Sequence, residues 1–206
     1  HDSVYGNREM SNLEKVLYRR SINLDITYRC TLECPKCLRR SIPTNNLNDL
    51  SLDSFNKIIN HFDQIEFCGQ ISDPIFHPQF IEFLKLTKDK RVFVHTAASH
   101  KPMDWYMKAF DANKSAIWEF GIDGLPKDSH KYRMNQDGEY LFEVMEAGKS
   151  NGNDIRWQYI IFKYNENDIP EAIELARKYQ IPLQVNKSSR WTGPDDPYKP
   201  SEINCV

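Results

Sequence analysis

The sequence has no apolar run of the roughly 20 residues needed to cross a bilayer. Its N-terminus has no apolar segment typical of a secretory signal peptide. Charge of one sign is not in excess either, since 27 Lys and Arg face 29 Asp and Glu, a formal net charge of −2. Composition therefore gives no strong signal for nucleic acid or for an anionic membrane surface. These absences favour one globular domain of 206 residues.

Cysteine is scarce outside one short stretch, because three of the five cysteines are Cys30, Cys34 and Cys37. Such clustering is unlike the dispersed disulfide framework of a small secreted protein. We therefore predict a reducing, cytoplasmic compartment.

Short runs rich in β-branched and aromatic residues alternate with longer amphipathic segments. The predicted strands are residues 22–27, 64–68, 92–96, 116–122, 156–162 and 183–186. The predicted helices are residues 52–61, 80–88, 101–110, 138–150 and 169–179. Residues 188–200 contain three prolines and one glycine, which predicts a loop or an extended tail. We divide the chain into a lead-in (1–20), a core domain (21–187) and a Pro-rich tail (188–206), interpreted as the start of a truncated C-terminal extension.

Six strands that alternate with helices predict a parallel α/β architecture. Ligands of such folds bind at the carboxyl ends of the strands. The segments expected there are residues 29–40, 68–74, 96–99, 123–133 and 163–166. They are also the segments richest in unusual residues.

The three clustered cysteines form a C-x₃-C-x₂-C motif directly after the first predicted strand. Thiolates are soft ligands that favour zinc, copper(I) or iron–sulfur clusters. One interpretation is a structural zinc site completed by Cys68 or Cys205, although such sites usually use two separated cysteine pairs. The other is three corners of a cubane cluster, with a fourth iron left open to substrate or cofactor.

The motif and its surroundings resemble radical S-adenosylmethionine (SAM) enzymes. Leu24-Asp25-Ile26-Thr27 before the cysteines is similar to the family's first strand. Residues 67–74 (FCGQISDP) resemble a variant of the Gly-Gly-Glu-Pro segment, and residues 121–124 (GIDG) with 130–133 (HKYR) resemble the fourth-strand pattern. The resemblance extends from Ile22 to about Asn186. Residues 163–166 (KYNE) resemble an Asn-containing turn of the SPASM-type, peptide-modifying branch.

The resemblance implies a partial (β/α)₆ TIM-like barrel with parallel strands. It implies that Cys30, Cys34 and Cys37 ligate a 4Fe–4S cluster whose fourth iron binds SAM. Reductive cleavage of SAM would give a 5′-deoxyadenosyl radical that abstracts hydrogen from a substrate. The substrate expected for this branch is a peptide or protein side chain, and the electron donor a flavodoxin or ferredoxin.

The resemblance also implies a set of SAM-binding residues at the later strand ends. Arg133 would pair with the SAM carboxylate, and Asn165 and Glu166 would reach the ribose hydroxyls. The full set is Gly69, Gln70, Ser72, Asp73, Thr96, Arg133, Asn165 and Glu166.

Two further residues are candidates for a catalytic role. Cys68 either fills the core as a small hydrophobe or donates hydrogen to a substrate radical. His95 precedes Thr96 at a strand end and is expected near the site. Two positions depart from the family pattern: Lys36 replaces an aromatic residue before the third cysteine, and Gly121 replaces a serine near the SAM carboxylate.

Two alternatives remain open from the sequence. One is radical SAM modification of a nucleotide or another small molecule. The other is a zinc-bound, non-catalytic binding module. Cys205, in the tail, would belong to an auxiliary cluster only in a longer chain.

Overall fold

A computed structural model describes residues 20–43 and 47–201 of the chain. Apart from Arg20, the predicted lead-in lies outside these residues, as does Cys205. None of the helices in the described part is both long and apolar enough to cross a membrane.

Six parallel strands form one sheet in the order in which they occur in the chain. Each strand pairs in parallel with the next, as Ile65 with Val92 and Phe120 with Trp157 illustrate. This confirms the predicted α/β class. The strands are β1 (Ser21–Leu24), β2 (Gln64–Phe67), β3 (Arg91–Thr96), β4 (Ile117–Gly121), β5 (Asp154–Ile161) and β6 (Leu183–Lys187).

In the described residues one α-helix lies between each two successive strands, which gives five helices, the first (α1) between β1 and β2. Ser51 caps α1 by accepting a hydrogen bond from Ser54 N at 3.2 Å, and α5 carries a proline in its first turn. The helices are α1 (Leu52–Ile59), α2 (Phe80–Leu86), α3 (Met103–Ala112), α4 (Gly138–Ser150) and α5 (Ile169–Tyr179). Short 3₁₀ helices occupy Leu38–Ser41, Pro74–Phe76 and Pro126–Lys131.

The first strand is shorter than predicted, because it ends at Leu24 rather than at residue 27. Beyond Leu24 the backbone bonds to another segment, as Leu50 N donates to Ile26 O at 2.9 Å. Thr27 Oγ1 also donates to Asp49 Oδ1 at 2.7 Å. These contacts turn the chain away from β2 and start the cysteine loop.

The two faces of the sheet differ in polarity. One face packs against the helices with fully buried side chains such as Val94, Trp118, Phe120 and Trp157. Because successive residues of a strand point to opposite faces, the alternate residues line the other, cavity-bearing face. In the described residues β1 pairs only with β2 and β6 only with β5, so the sheet forms a barrel wall that is open on one side.

Candidate cofactor-binding site

One cavity of about 530 Å³ collects most of the residues predicted for the site. The thiol-bearing residues Cys30, Cys34 and Cys37 line it from the loop after β1. The other predicted residues that line it are Cys68, Gly69, Gln70, Ser72, Asp73, His95, Thr96 and Arg133. The parallel sheet thus brings residues that are distant in sequence onto one surface at the carboxyl ends of its strands.

The three cysteines of the motif are free and partly buried. Burial, reinforced by the negative charge of Asp73, raises the pKa of the Cys30 thiol to about 12. Burial also raises the pKa of Cys34, although the Arg133 guanidinium acts in the opposite direction. Thiols in such surroundings become thiolate ligands when a metal supplies the compensating positive charge. Three soft thiols around one space are a donor set that fits an iron–sulfur cluster.

A site for a single metal ion is not formed in the described part of the chain. Within residues 20–43 and 47–201, no three His, Cys, Asp or Glu side chains lie close enough together to hold one ion. Cys68, proposed above as a fourth zinc ligand, is a buried free thiol at the same cavity. Burial raises its pKa to about 11.

The turn at residues 69–73 approaches the cavity with its main chain. A Cβ atom on Gly69 would lie 2.0 Å from the Ser72 carbonyl oxygen, so only glycine permits this turn. Ser72 Oγ donates to Asp25 Oδ1 at 2.9 Å. The Ser72 side chain is therefore used to fasten the turn to the end of β1.

The Asp73 carboxylate is buried and fully engaged inside the protein. It accepts hydrogen bonds from Thr96 Oγ1 at 2.9 Å, from Ala97 N at 2.9 Å and from Ala98 N at 3.1 Å. The Asp73 main-chain N–H donates to Arg29 O at 2.9 Å, at the start of the cysteine loop. Asp73, predicted to bind cofactor, thus joins three loops: its carboxylate holds Thr96 and the residues after it, and its main-chain N–H holds the cysteine loop.

Arg133 lies beside Gly121 and forms a buried ion pair. Its Nε is 2.8 Å from Asp123 Oδ2, and the two side chains are 14% and 0% exposed. Burial opposes the charged form of Arg133, but attraction by Asp123 outweighs it and raises the pKa of the guanidinium. A Cβ atom on Gly121 would lie 2.6 Å from Arg133 Nη2. The glycine that departs from the family pattern therefore provides the space for this side chain.

Asn165 and Glu166 do not line the cavity with the other predicted residues. The Asn165 side chain closes its own turn, since it accepts from Phe162 N at 2.7 Å and donates to Ile160 O at 3.0 Å. Glu166 Oε1 lies 2.8 Å from Lys163 Nζ and accepts from Ser201 Oγ at 3.0 Å. Both side chains serve local structure at the end of β5, and their predicted contact with a ribose stays a prediction.

A row of polar side chains crosses the cavity face of the sheet, and the sequence-based prediction included only His95 of this row. His95 Nδ1 lies 3.3 Å from Glu119 Oε1, and Gln158 Nε2 donates to the same oxygen at 2.6 Å. Glu66 lines the same cavity on β2. Each of these residues is polar and lies between two buried residues of its strand, which is a sequence signal for a side chain facing a ligand cavity.

The tail after β6 also contributes to the cavity wall, through Ser188, Ser189 and Arg190. The sequence predicted a loop or extended tail here, without a role in the site. The tail is held against the end of β5, because Lys163 N donates to Tyr198 O at 3.0 Å.

Solved structures that share this fold include proteins with bound SAM. A structure of Streptococcus suis SuiB bound to S-adenosylmethionine matches with a TM-score of 0.71 at 13% identity over 89% of this chain and 44% of SuiB. A structure of native anSMEcpe with bound AdoMet and the Cp18Cys peptide matches with a TM-score of 0.65 at 11% identity, over 81% of this chain and 50% of anSMEcpe. Methylornithine synthase (PylB) matches with a TM-score of 0.61 at 11% identity, over 82% of this chain and 54% of PylB.

These matches confirm the fold that the resemblance to radical SAM enzymes implies. The chain spans about half the length of the structures it matches. No protein-family model matches the sequence, and no curated protein matches it significantly.

Replacing Asp73 tests whether its carboxylate holds the loops of the site together. We expect Asp73→Asn to lower the free energy of unfolding by about 2 kcal/mol, because an amide nitrogen would then face buried main-chain N–H groups. Urea unfolding of the two proteins measures the difference. Asp89→Asn, at a side chain that is 77% exposed, is the matched control and should change stability little; equal losses in both variants would contradict the assignment.

The contact between Glu119 and His95 should make stability depend on pH. Hydrogen bonding to His95 holds the pKa of Glu119 below its ordinary value of 4.5, although burial acts in the opposite direction. A carboxyl group with a lowered pKa stabilises the folded state above its unfolded pKa, and this stabilisation is lost as the pH falls.

We therefore expect Glu119→Gln to be less stable than the parent protein at pH 7. The difference in urea midpoint should shrink as the pH falls below 4.5 and through the lowered pKa of Glu119, because the carboxylate then becomes protonated. The control Glu82→Gln alters an exposed pair with Lys85 and should show little difference at either pH. A pH-independent difference for Glu119→Gln would disprove the ionic contribution.

Proposed function

We propose that this chain carries the catalytic core of a radical SAM enzyme. Cys30, Cys34 and Cys37 hold a 4Fe–4S cluster, and SAM binds in the same cavity. The observation that carries the proposal is the convergence of these three cysteines, the turn at residues 69–73 and Arg133 on one cavity. The shared fold of SuiB and anSMEcpe, whose structures contain bound SAM, supports it.

The residues around the cavity have separate roles in this proposal. The main chain of the turn that begins at Gly69 binds the SAM amino group, since the absence of a Cβ atom lets a ligand approach the backbone closely. Arg133 binds the SAM carboxylate, because a guanidinium forms directional, charge-assisted hydrogen bonds to carboxylates. When bound, the cluster supplies the electron that cleaves SAM to a 5′-deoxyadenosyl radical, which abstracts hydrogen from the substrate.

Aromatic side chains protect one side of the site from water. Tyr132 and Phe162 both line the cavity, and their rings stack with centroids 3.9 Å apart. Exclusion of water matters for radical chemistry, because reactive intermediates are otherwise consumed by side reactions. The polar row of Glu66, His95, Glu119 and Gln158 lies on the same cavity and is available to the substrate.

For the substrate we propose a peptide or protein side chain. A barrel wall that is open on one side admits a long chain from the side, without requiring its end to enter. The anSMEcpe structure with the same fold contains a bound peptide, which supports this class. Reduction requires an external electron donor, for which we propose a flavodoxin or ferredoxin.

A small-molecule substrate is the second candidate. A cavity of about 530 Å³ has the size of a small-ligand pocket, and PylB, which has the same fold, is a methylornithine synthase.

Removal of one motif cysteine tests the proposed cluster. After anaerobic reconstitution with iron and sulfide, the parent protein should be brown, and dithionite with SAM should yield 5′-deoxyadenosine. Cys34→Ala should lose most of the bound iron and nearly all of the SAM cleavage activity, because a cluster ligand is missing. Cys205→Ala, outside the motif, is the control and should retain both; a colourless parent protein with one tightly bound zinc would disprove the proposal.

Deuterium tracing separates the two substrate classes. Candidate peptides or small molecules carrying deuterium are incubated with reconstituted protein, SAM and reductant, and 5′-deoxyadenosine is examined by mass spectrometry. We expect deuterium transfer from a peptide. Transfer from small molecules alone would establish the second candidate.

A further inference from the structure

The cysteine loop is held differently in its two halves. Its first half, which carries Cys30, is tied directly to the barrel. The bonds that do this include Asp73 N to Arg29 O at 2.9 Å, Asn135 Nδ2 to Thr31 O at 3.1 Å, and Glu33 N to Met134 O at 3.2 Å. Cys30 is therefore positioned by elements of the core domain.

The second half, which carries Cys34 and Cys37, has a different attachment. Lys36 lies between these two cysteines, and its Nζ is 2.6 Å from Asp196 Oδ2 in the tail after β6. The same Nζ is 3.3 Å from Thr192 Oγ1. In the described part of the chain, this half makes its polar contacts with residues outside the loop through Lys36.

Asp196 is built into the tail as a receptor for this lysine. Its side chain is 0% exposed. Besides Lys36 it accepts hydrogen bonds from Thr192 N at 2.9 Å, from Thr192 Oγ1 at 2.7 Å and from Tyr198 N at 3.0 Å. The hydrogen bond from Lys36, together with those from Thr192, lowers the pKa of Asp196 well below its usual range, as expected of a carboxylate whose oxygens are occupied by donors.

The tail can transmit this restraint because it is itself anchored. Tyr198 O accepts from Lys163 N at the end of β5. The rings of Tyr132 and Tyr198 pack edge to face with centroids 5.3 Å apart, and Trp191 packs likewise on Phe162 at 5.7 Å. The Lys36 side chain is only 20% exposed, so loss of its ionic partner destabilises the loop conformation in which Lys36 reaches the tail.

We infer that Asp196 is a positioning residue that acts through Lys36 and holds the Cys34 and Cys37 half of the loop in its metal-binding conformation. The identity of the bound group rests on the proposed function; the positioning itself does not. Lys36, which stands where the family pattern has an aromatic residue, thus attaches the loop to the tail. The tail is thereby part of the site rather than only its boundary.

Site-resolved alkylation of the metal-free full chain tests this inference. Asp196→Asn should raise the rates at which iodoacetamide modifies Cys34 and Cys37 by about fivefold or more, because the half-loop opens more often. Cys30 and Cys68 should keep their rates within about twofold, since their own contacts are unchanged. Peptide mass spectrometry measures the four rates in one sample.

Three further variants make the test specific. Asp195→Asn, at the exposed neighbour of Asp196, should leave all four rates unchanged. Lys36→Met should reproduce Asp196→Asn, and the double variant should add nothing further, as expected when two residues act as one unit. Lys36→Arg keeps the positive charge, so Cys34 and Cys37 should be modified more slowly in this variant than in Lys36→Met.

Two outcomes would overturn the inference: unchanged rates at Cys34 and Cys37, or equal acceleration at all four cysteines, which indicates general loosening. After reconstitution, Asp196→Asn should also lose iron to a chelator faster than the parent protein. If the parent protein binds no iron while the alkylation pattern changes selectively, the proposed function fails and the positioning role stands.

Discussion

The buried Asp73 carboxylate is the interaction on which the architecture of the site depends. Its oxygens accept bonds from the hydroxyl of Thr96 and from the main-chain N–H groups of Ala97 and Ala98, while its own N–H holds Arg29. Three loops from three strands therefore meet at one residue. A carboxylate suits this position, because ionised acceptors form stronger hydrogen bonds to main-chain N–H groups than neutral ones do.

Local sequence signals predicted much of the fold. Helices α4 (Gly138–Ser150) and α5 (Ile169–Tyr179) have the predicted bounds, since an aspartate cap, an N-terminal proline and amphipathic spacing are local features. The six strands were located, but β1 ended early because segment 49–50 competes for its backbone. Such competition depends on residues distant in sequence and leaves no local signal.

The residues of the site could be predicted from the sequence where a residue of distinctive chemistry follows the carboxyl end of a predicted strand. Elsewhere the sequence signal was weaker. The three cysteines, Gly69 and Arg133 line the cavity as expected. Asn165 has the residue type of a ligand contact, yet its amide is used to close its own turn. Glu119 is the opposite case: it lines the cavity, but the sequence predicted it only as part of a strand. The contact of Lys36 with Asp196 joins two loops, and no spacing rule relates them.

Gly121 and Arg133 have a consequence for sequence variation among proteins of this fold. The guanidinium occupies the volume where any side chain at position 121 would begin, and it is fixed there by Asp123. A substitution such as Gly121→Ser therefore requires the guanidinium, at the far end of a flexible side chain, to shift. The size of the residue at position 121 thus sets where the Arg133 guanidinium can lie at the edge of the cavity.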